Sequence, residues 1–397
     1  MVFNFNFCGY SAYFGVYKIT KTKKRCLWLK FKLHGLTLFF CALFLIFLCG
    51  CSGGGELHEK FIIQGIAVDK DGGKYKLTAQ AYDFQTPKDE KEPSIRVVEV
   101  SGATLLEALE NIKKKTSLNP VYSQNMIILM GEDVAKSGVN NFIDFFIRHC
   151  ETRPKVKLCV CSGTASEVIK SKDGDKPVKA QNIHDLIPDE LGSDVMHFVG
   201  DVYGKISDPY VAWLGLSENN NSEEIVFKGV GLFRDDILYD CLENEDAFGF
   251  MIFKGISGFS SCVVKNERFG EVTCSATRSA VCVTPEITEN SYPVFKINIS
   301  ADMSAFAFDS DYESGASEND ITGLERDIED KLGTIYGHLL GKITSANIDA
   351  LGFGKVLRNS HPEYFKKISN DWENIISKCR YEVTQEVTLS ITGKEPI

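Results

Sequence analysis

MIILMGEDVAKSGVNNFIDFFIRHCETRPKVKLCVCSG, residues 126–163, reads as strand, helix and strand in quick succession. Met126–Gly131 is a short unbroken apolar run, the pattern of a strand buried on both faces. Val139–Cys150 has helical spacing with Phe142 and Phe146 on the inward side, and Lys155–Gly163 returns to strand text. Alternation of strand and helix over so short a stretch points to a mixed α/β arrangement.

Working outward, the same alternation recurs. Upstream, Phe61–Asp69 and Lys74–Phe84 flank Lys70-Asp71-Gly72-Gly73, a hairpin signal. A charged loop, Pro87–Pro93, leads to a strand over Ile95–Gly102. Thr104 and Glu107 form a capping box that opens a helix with Leu105, Leu109 and Ile112 on one face and Lys113–Lys115 at its end. Downstream, Thr164–Lys170 is a short helix, and Gly192–Ser222 is irregular, closing in the polar loop Glu218–Glu224. Short strands are expected from Ile225 onward, among them Phe250–Ile256, followed by an alternating strand over Tyr292–Phe308. After an acidic loop at Asp309–Asn319, Ile321, Leu324, Ile328, Leu332, Ile335 and Leu339 mark a long amphipathic helix. A helix over Trp372–Lys378 and a strand over Tyr381–Gly393 finish the chain. The expected class is α+β, mixed α/β.

Charge narrows the function. The chain carries a net −10, yet its first fifty residues hold seven cations (Lys18, Lys21, Lys23, Lys24, Arg25, Lys30, Lys32) and no carboxylate. The remainder is therefore more acidic still, which argues against a nucleic-acid partner. Anionic lipid repels such a body as well, so membrane attachment has to come from the N-terminus. There the basic segment precedes the apolar run Leu36–Leu48, shorter than the roughly 20 residues a spanning helix needs. Leu48-Cys49-Gly50-Cys51 follows and resembles a bacterial lipoprotein cleavage box: a small residue beside the scissile bond, then a thiol able to take the diacylglyceryl thioether. On this reading residues 1–50 are a signal peptide, Cys51 is the lipidated residue, and 51–60 form the tether, with Ser52–Gly55 its glycine-rich part. An uncleaved anchor helix is the competing reading of the same run.

Eight cysteines lie beyond Cys51, most in strand-like text such as KLCVCS and VTCSAT, and are expected to be buried free thiols. Catalytic patterns are absent: no G-x-S-x-G elbow, P-loop, H-E-x-x-H or C-x-x-C. Gly229-Val-Gly231 lacks the third glycine and following helix of a dinucleotide loop, so it is read as a turn or close backbone approach. Asp69-Lys-Asp71-Gly72 lacks the further ligands of a calcium loop, so the hairpin reading is preferred. His149, Cys150, Cys159 and Cys161 do not have the spacing of the usual zinc knuckles. No cofactor and no metal are expected.

Several stretches together resemble the Ger(x)C family of spore germination lipoproteins. They are Glu56-Leu57 and Ile63–Asp69; Met126–Ile169 including Arg148 and Arg153; Phe227–Leu242; and Asp349-Ala-Leu-Gly352-Phe353-Gly354 with His361-Pro-Glu-Tyr364 and Trp372. The set is collinear and covers nearly all of the chain after residue 51. Ser123-Gln-Asn125 and Ser52–Gly55 depart from the family pattern. The resemblance implies three mixed α/β domains in an elongated arrangement, taken here as 61–200, 201–290 and 291–397. It also implies a non-enzymatic germinant-receptor subunit on the outer face of the spore inner membrane or cell membrane, beside two polytopic membrane subunits. Gly352 and Gly354 bracket Phe353, which reads as a buried aromatic between tight turns, while Trp372 is expected on the inner face of the long helix. With Asp349 these residues are structural or partner-facing candidates. Two other classes compete: a substrate-binding lipoprotein serving a transporter, and an envelope hydrolase whose site escapes motif reading.

Overall fold

A computed structural model describes residues 57–84, 94–149, 152–171, 178–219, 222–258, 261–289, 291–308 and 317–391. The expected signal over residues 1–50, Cys51 and the expected glycine-rich tether at Ser52–Gly55 lie outside the described residues, as does Cys150. Residues 57–397 cluster as one compact unit.

Two sheets organise it. The first contains β1 (Lys60–Asp71), β2 (Lys74–Asp83), β3 (Ser94–Gly102), β4 (Asn119–Val121), β5 (Ile127–Gly131), β6 (Lys157–Cys161), β7 (Tyr210–Asn219), β8 (Ser222–Arg234) and β9 (Ile237–Glu243). Its order is β3-β2-β1-β5-β6-β7-β8-β9, with β4 also pairing to β1. The centre, β1-β5-β6-β7, is parallel, and antiparallel hairpins flank it on both sides. The second sheet, β10 (Ser261–Asn266), β11 (Gly270–Glu286), β12 (Val294–Phe308) and β13 (Arg380–Ile391), is antiparallel except for the parallel β12–β13 pair. The helices are α1 (Leu105–Thr116), α2 (Glu132–Lys136), α3 (Asn140–His149), α4 (Ala165–Lys170), α5 (Lys179–Leu186), α6 (Val195–Gly204), α7 (Asn244–Phe253), α8 (Glu318–Ser345), α9 (Phe353–Ser360), α10 (Pro362–Ile368) and α11 (Trp372–Ile376).

The opening stretch shows why the central strands read as unbroken apolar runs. Every residue of β5 and β6 is buried, and alternate side chains enter different cores. Ile127, Leu129, Cys159 and Cys161 join the core shared with α8 and the second sheet. Ile128, Met130, Leu158 and Val160 join the core under α1 and α3, where Phe142 and Phe146 also lie. The β1–β2 turn closes at Asp71 opposite Lys74, with Gly72 and Gly73 at φ 55° and 81°, the left-handed pair that a tight hairpin requires. Thr104 caps α1 through the Glu107 amide (3.2 Å), but the Glu107 carboxylate reaches the Ala103 amide (2.7 Å), one residue earlier than a capping box places it. Ser317 and Asp320 form a complete box at the start of α8, whose Leu324, Ile328, Leu332, Ile335 and Leu339 are buried.

Three expectations meet a different structure. Gly192–Ser222 is not irregular: it holds α6 and β7. Helix α6 is apolar on nearly every side, so no amphipathic stripe announces it. Phe250–Ile256, expected as a strand, belongs largely to α7, where Phe248, Phe250, Met251 and Ile252 are all buried; a short apolar run suits a buried helix as well as a strand. The divisions placed at 200 and 290 fall inside sheets, because β6 pairs with β7 across the first and β11 with β12 across the second. The change of sheet instead comes between β9 and β10, with α7 between them.

Candidate functional site

A buried polar cluster forms where α8 ends. Asn347 takes φ 56° to turn the chain, and Asp349 then stands at the entrance to α9, 1% exposed. Its Oδ1 accepts from the amides of Gly352 (2.9 Å) and Phe353 (2.8 Å), and its Oδ2 from the Gly354 amide (2.7 Å) and the Trp372 indole Nε1 (3.0 Å). The main-chain donors are the free N–H groups of a helix N-terminus, where a carboxylate is favoured. Burial pushes the Asp349 carboxyl up to about 6, and the four donors restrain that rise. Two glycines make this possible for separate reasons. Gly352 takes φ 88°, open to few other residues. At Gly354 a Cβ would stand 2.2 Å from the Ile206 carbonyl oxygen and 2.7 Å from the Trp372 nitrogen, so no side chain fits.

Phe353, between them, is the hub of an aromatic cluster, with ring centroids 4.9 Å from Phe295, 4.9 Å from Tyr381 and 5.9 Å from Phe253. Trp372 was expected against the long helix; its ring neighbours are instead Phe295 of β12 (6.4 Å) and Phe365 of α10 (5.8 Å). The site residues Asp349, Gly352, Phe353, Gly354 and Trp372 are thus brought together in one corner.

Three partners of this corner carry no motif. Asp208 donates its amide to the Asp349 carbonyl (3.1 Å) and accepts the Asp349 amide on Oδ2 (2.6 Å), which ties the α6–β7 connection to the α8–α9 turn. Desolvation pushes the Asp208 carboxyl up to about 7. Lys254, following α7, donates Nζ to the Ala350 (2.9 Å) and Leu351 (3.4 Å) carbonyls and lies 4.7 Å from the Tyr210 ring centroid; burial pushes it down to about 8. Arg234 donates to the Ala346 carbonyl at the end of α8, stacks 4.4 Å over the Tyr239 ring and sits 3.8 Å from Glu373. In sequence, only the Ser207-Asp208-Pro209 turn hints at any of these.

Beside the corner opens a cleft of about 770 Å³, walled by the α6–β7 connection, the β8–β9 turn and α9–α11. Lys205, Arg234, Arg358 and Lys366 line it together with Asp208 and Glu373, so its lining is of mixed sign. The Asp349 oxygens accept from four protein donors, so the carboxylate is engaged within the fold. Among the described residues, no three His, Cys, Asp or Glu side chains converge as metal ligands.

Elsewhere, Cys159 and Cys161 are buried on one face of β6, and burial raises the Cys159 thiol to about 12. The described cysteines are free, with Cys282 exposed. Gly229 is a close-approach glycine, since a Cβ there would meet the Leu242 carbonyl oxygen at 1.9 Å. Asp69 is turned to capping: its carboxylate accepts the Ala165 (2.7 Å) and Ser166 (2.9 Å) amides at the start of α4. Among the described residues no helix is long and apolar enough to cross a membrane.

The fold is a mixed α/β one whose buried Asp349 cluster is satisfied by main-chain amides and one indole. The chain belongs to the Ger(x)C family of spore germination proteins: residues 55–216 match the spore germination protein N-terminal domain, and 228–393 the spore germination B3/GerAC-like C-terminal domain. It is 23% identical over 367 residues to spore germination protein B3 of Bacillus subtilis (strain 168), covering 86% of this chain and 94% of that one. It is 22% identical to spore germination protein KC of the same organism, covering 88% of this chain and 93% of the relative. The crystal structure of the GerBC protein shares the fold, with a TM-score of 0.55 at 19% identity, over 83% of this chain and 97% of that one.

Proposed function

We propose that this protein is the lipid-anchored, non-enzymatic subunit of a spore germinant receptor, acting in nutrient-triggered germination beside two polytopic membrane subunits. The observation that carries the reading is the match to both family domains, end to end, in a chain whose relatives are spore germination proteins over nearly their whole length. The cleavage box at Leu48–Cys51 supports anchoring through acylated Cys51, on the outer face of the spore inner membrane or cell membrane. Two acyl chains hold far better than one, so the anchor does not depend on the acidic body. The Asp349 corner supports a scaffold role, since its buried charge serves internal donors and fixes the relation of α6, α8 and α9. Gly352, Phe353 and Gly354 then act on partners only by holding that frame.

Membrane fractionation tests the anchor: Cys51→Ala is expected to release the protein, and unchanged fractionation removes Cys51 from the account. Co-purification from spores with two polytopic membrane proteins tests the assembly. The cleft beside the corner favours a second reading, a small-ligand-binding lipoprotein that serves a transporter. Calorimetric titration of the isolated protein with amino acids and sugars separates the two, because tight binding without membrane partners belongs to the second.

A further inference from the structure

Helix α6 lies across one end of the large sheet. Asp194, its N-cap, bridges to Lys157 at the start of β6, and the Val195 and Met196 amides donate to the Val156 (3.2 Å) and Pro154 (3.0 Å) carbonyls. The helix therefore sits where the parallel strands begin. Val195, Phe198 and Val202 face the core. The opposite side is also apolar: Met196 is 59% exposed and Tyr203 64%, one above the other at i and i+7, with Val199 half-buried between them. Ile147, near the end of α3 and so at the end of the sheet from which β6 starts, is 47% exposed. Exposed apolar side chains gathered on one face, rather than scattered singly, suit a contact surface.

The chain enters the domain at the same end. Lys60 pairs with Asn119, five residues before the level at which Gly65 pairs in parallel with Ile127, and Ile127 with Lys157. The first residue of β1 thus projects beyond the strand starts toward which α6 is packed. From Lys60 back to Cys51 the backbone spans at most about 30 Å.

We propose that this end of the sheet, led by Met196, Tyr203 and Ile147, rests on the headgroup layer of an anionic bilayer. The inference depends on the lipid-anchor reading, which brings the bilayer within the tether's reach. Tyr suits that layer, an apolar ring with a polar tip at the water boundary, and Met and Ile add apolar surface beside it. The acidic body as a whole is repelled by such a surface, so contact has to be local. Arg153 and Lys155 stand exposed on the loop beside Met196. The neighbouring carboxylates are largely engaged: Asp144 with Arg148 (2.7 Å), Asp189 with Lys157 (2.5 Å), Asp194 with the His197 amide and ring, and Asp201 with Lys355 and Ser207. Glu190, on the turn before α6, faces solvent.

The test uses the full lipidated chain in vesicles of phosphatidylcholine with about one-third phosphatidylglycerol. Cys150 and Cys282 are replaced by Ser, and an environment-sensitive dye is attached at Met196→Cys, Tyr203→Cys or, as control, Val263→Cys on β10, where the side chain is 47% exposed. Dye at 196 and 203 is expected to be about threefold less open to aqueous iodide than dye at 263, and to be quenched by lipid-borne quencher. Arg153→Glu with Lys155→Glu is expected to reduce that shielding, by about fivefold in the contact equilibrium for each cation lost, and more at low salt. Iodide access at 196 and 203 equal to that at 263 in the anchored chain overturns the proposal and leaves the anchor standing. A chain that never partitions with vesicles overturns both. Shielding seen only in native membranes, and not in lipid vesicles, assigns the face to a protein partner and overturns it as well.

Discussion

Two helices in this protein start on a carboxylate lent from outside their own sequence of turns. At the β1–α4 junction Asp69 reaches across the sheet to two amides, those of Ala165 and Ser166, from nearly a hundred residues away. At the α8–α9 corner Asp349 serves three amides and an indole from within its own loop and the segment just after. The two differ in how many donors depend on one side chain. Loss of Asp69 strands two donors at the end of a six-residue helix; loss of Asp349 strands four, with an aromatic cluster built around them. The second site is therefore expected to behave as a cooperative unit, and the first as a local cap.

The largest effect that tests this contrast is Asp349→Ala, expected to cost about 3–5 kcal/mol in urea unfolding, because several buried donors lose their partner together. A cost near that of Asp69→Ala would erase the distinction. Gly354→Ala comes next, at about 3 kcal/mol, since the new methyl meets the Ile206 carbonyl and the Trp372 nitrogen rather than a pliable side chain. Gly352→Ala, a φ problem without a steric one, is expected to cost only about 1 kcal/mol. Asp69→Ala is expected at about 1–3 kcal/mol, with hydrogen exchange rising first in α4.

The two aspartates were not equally legible in the sequence. Asp349 sits in a D-x-x-G-F-G segment whose glycines flank one aromatic, so a compact turn was readable from local text, although the fourth donor, Trp372, was expected elsewhere. Asp69 ends an apolar strand, and its partners lie in α4; nothing near it in sequence names them. Asp208 and Lys254 are illegible for the same reason, since each acts through a contact more than ninety residues distant. Elements followed the same rule. The strands on either side of α3 are readable because alternate residues enter two cores, so that β5 and Leu158–Cys161 of β6 are apolar throughout. Helices α6 and α7 were not, because both are apolar on most sides and lack the stripe that tells a helix from a strand. The divisions at 200 and 290 missed the sheet change because strand pairing, which carries β7 onto β6 and β12 onto β11, is invisible in a single strand's pattern.

Trp372→Phe isolates one donor of the four. The ring contacts with Phe295 and Phe365 survive, and the loss is expected to be about 1–2 kcal/mol. In a cycle with Asp349→Asn, the two changes together are expected to cost less than the sum of the singles, because both remove the same bond. Additive costs would mean that the indole and the carboxylate are independent, and the corner would then be no more cooperative than the cap at α4.

The smallest effect is a slope with pH, and it belongs to the corner. Asp349 and Asp208 have carboxyls raised to about 6 and about 7 by burial, above the range of an unfolded aspartate. In that window the folded chain binds more protons than the unfolded one. The corner's contribution is therefore full below about pH 4 and lost as pH rises through 6 and 7. Asp208→Asn keeps an acceptor for the Asp349 amide but removes the higher titration, so it should flatten the decline between pH 6 and 7 by about 1 kcal/mol. Stability that instead rises over that interval, in the parent chain and not in Asp208→Asn, would mean that the donors around the two carboxylates outweigh their desolvation. The corner would then favour its charges outright, and its cooperativity would rest on the number of donors alone.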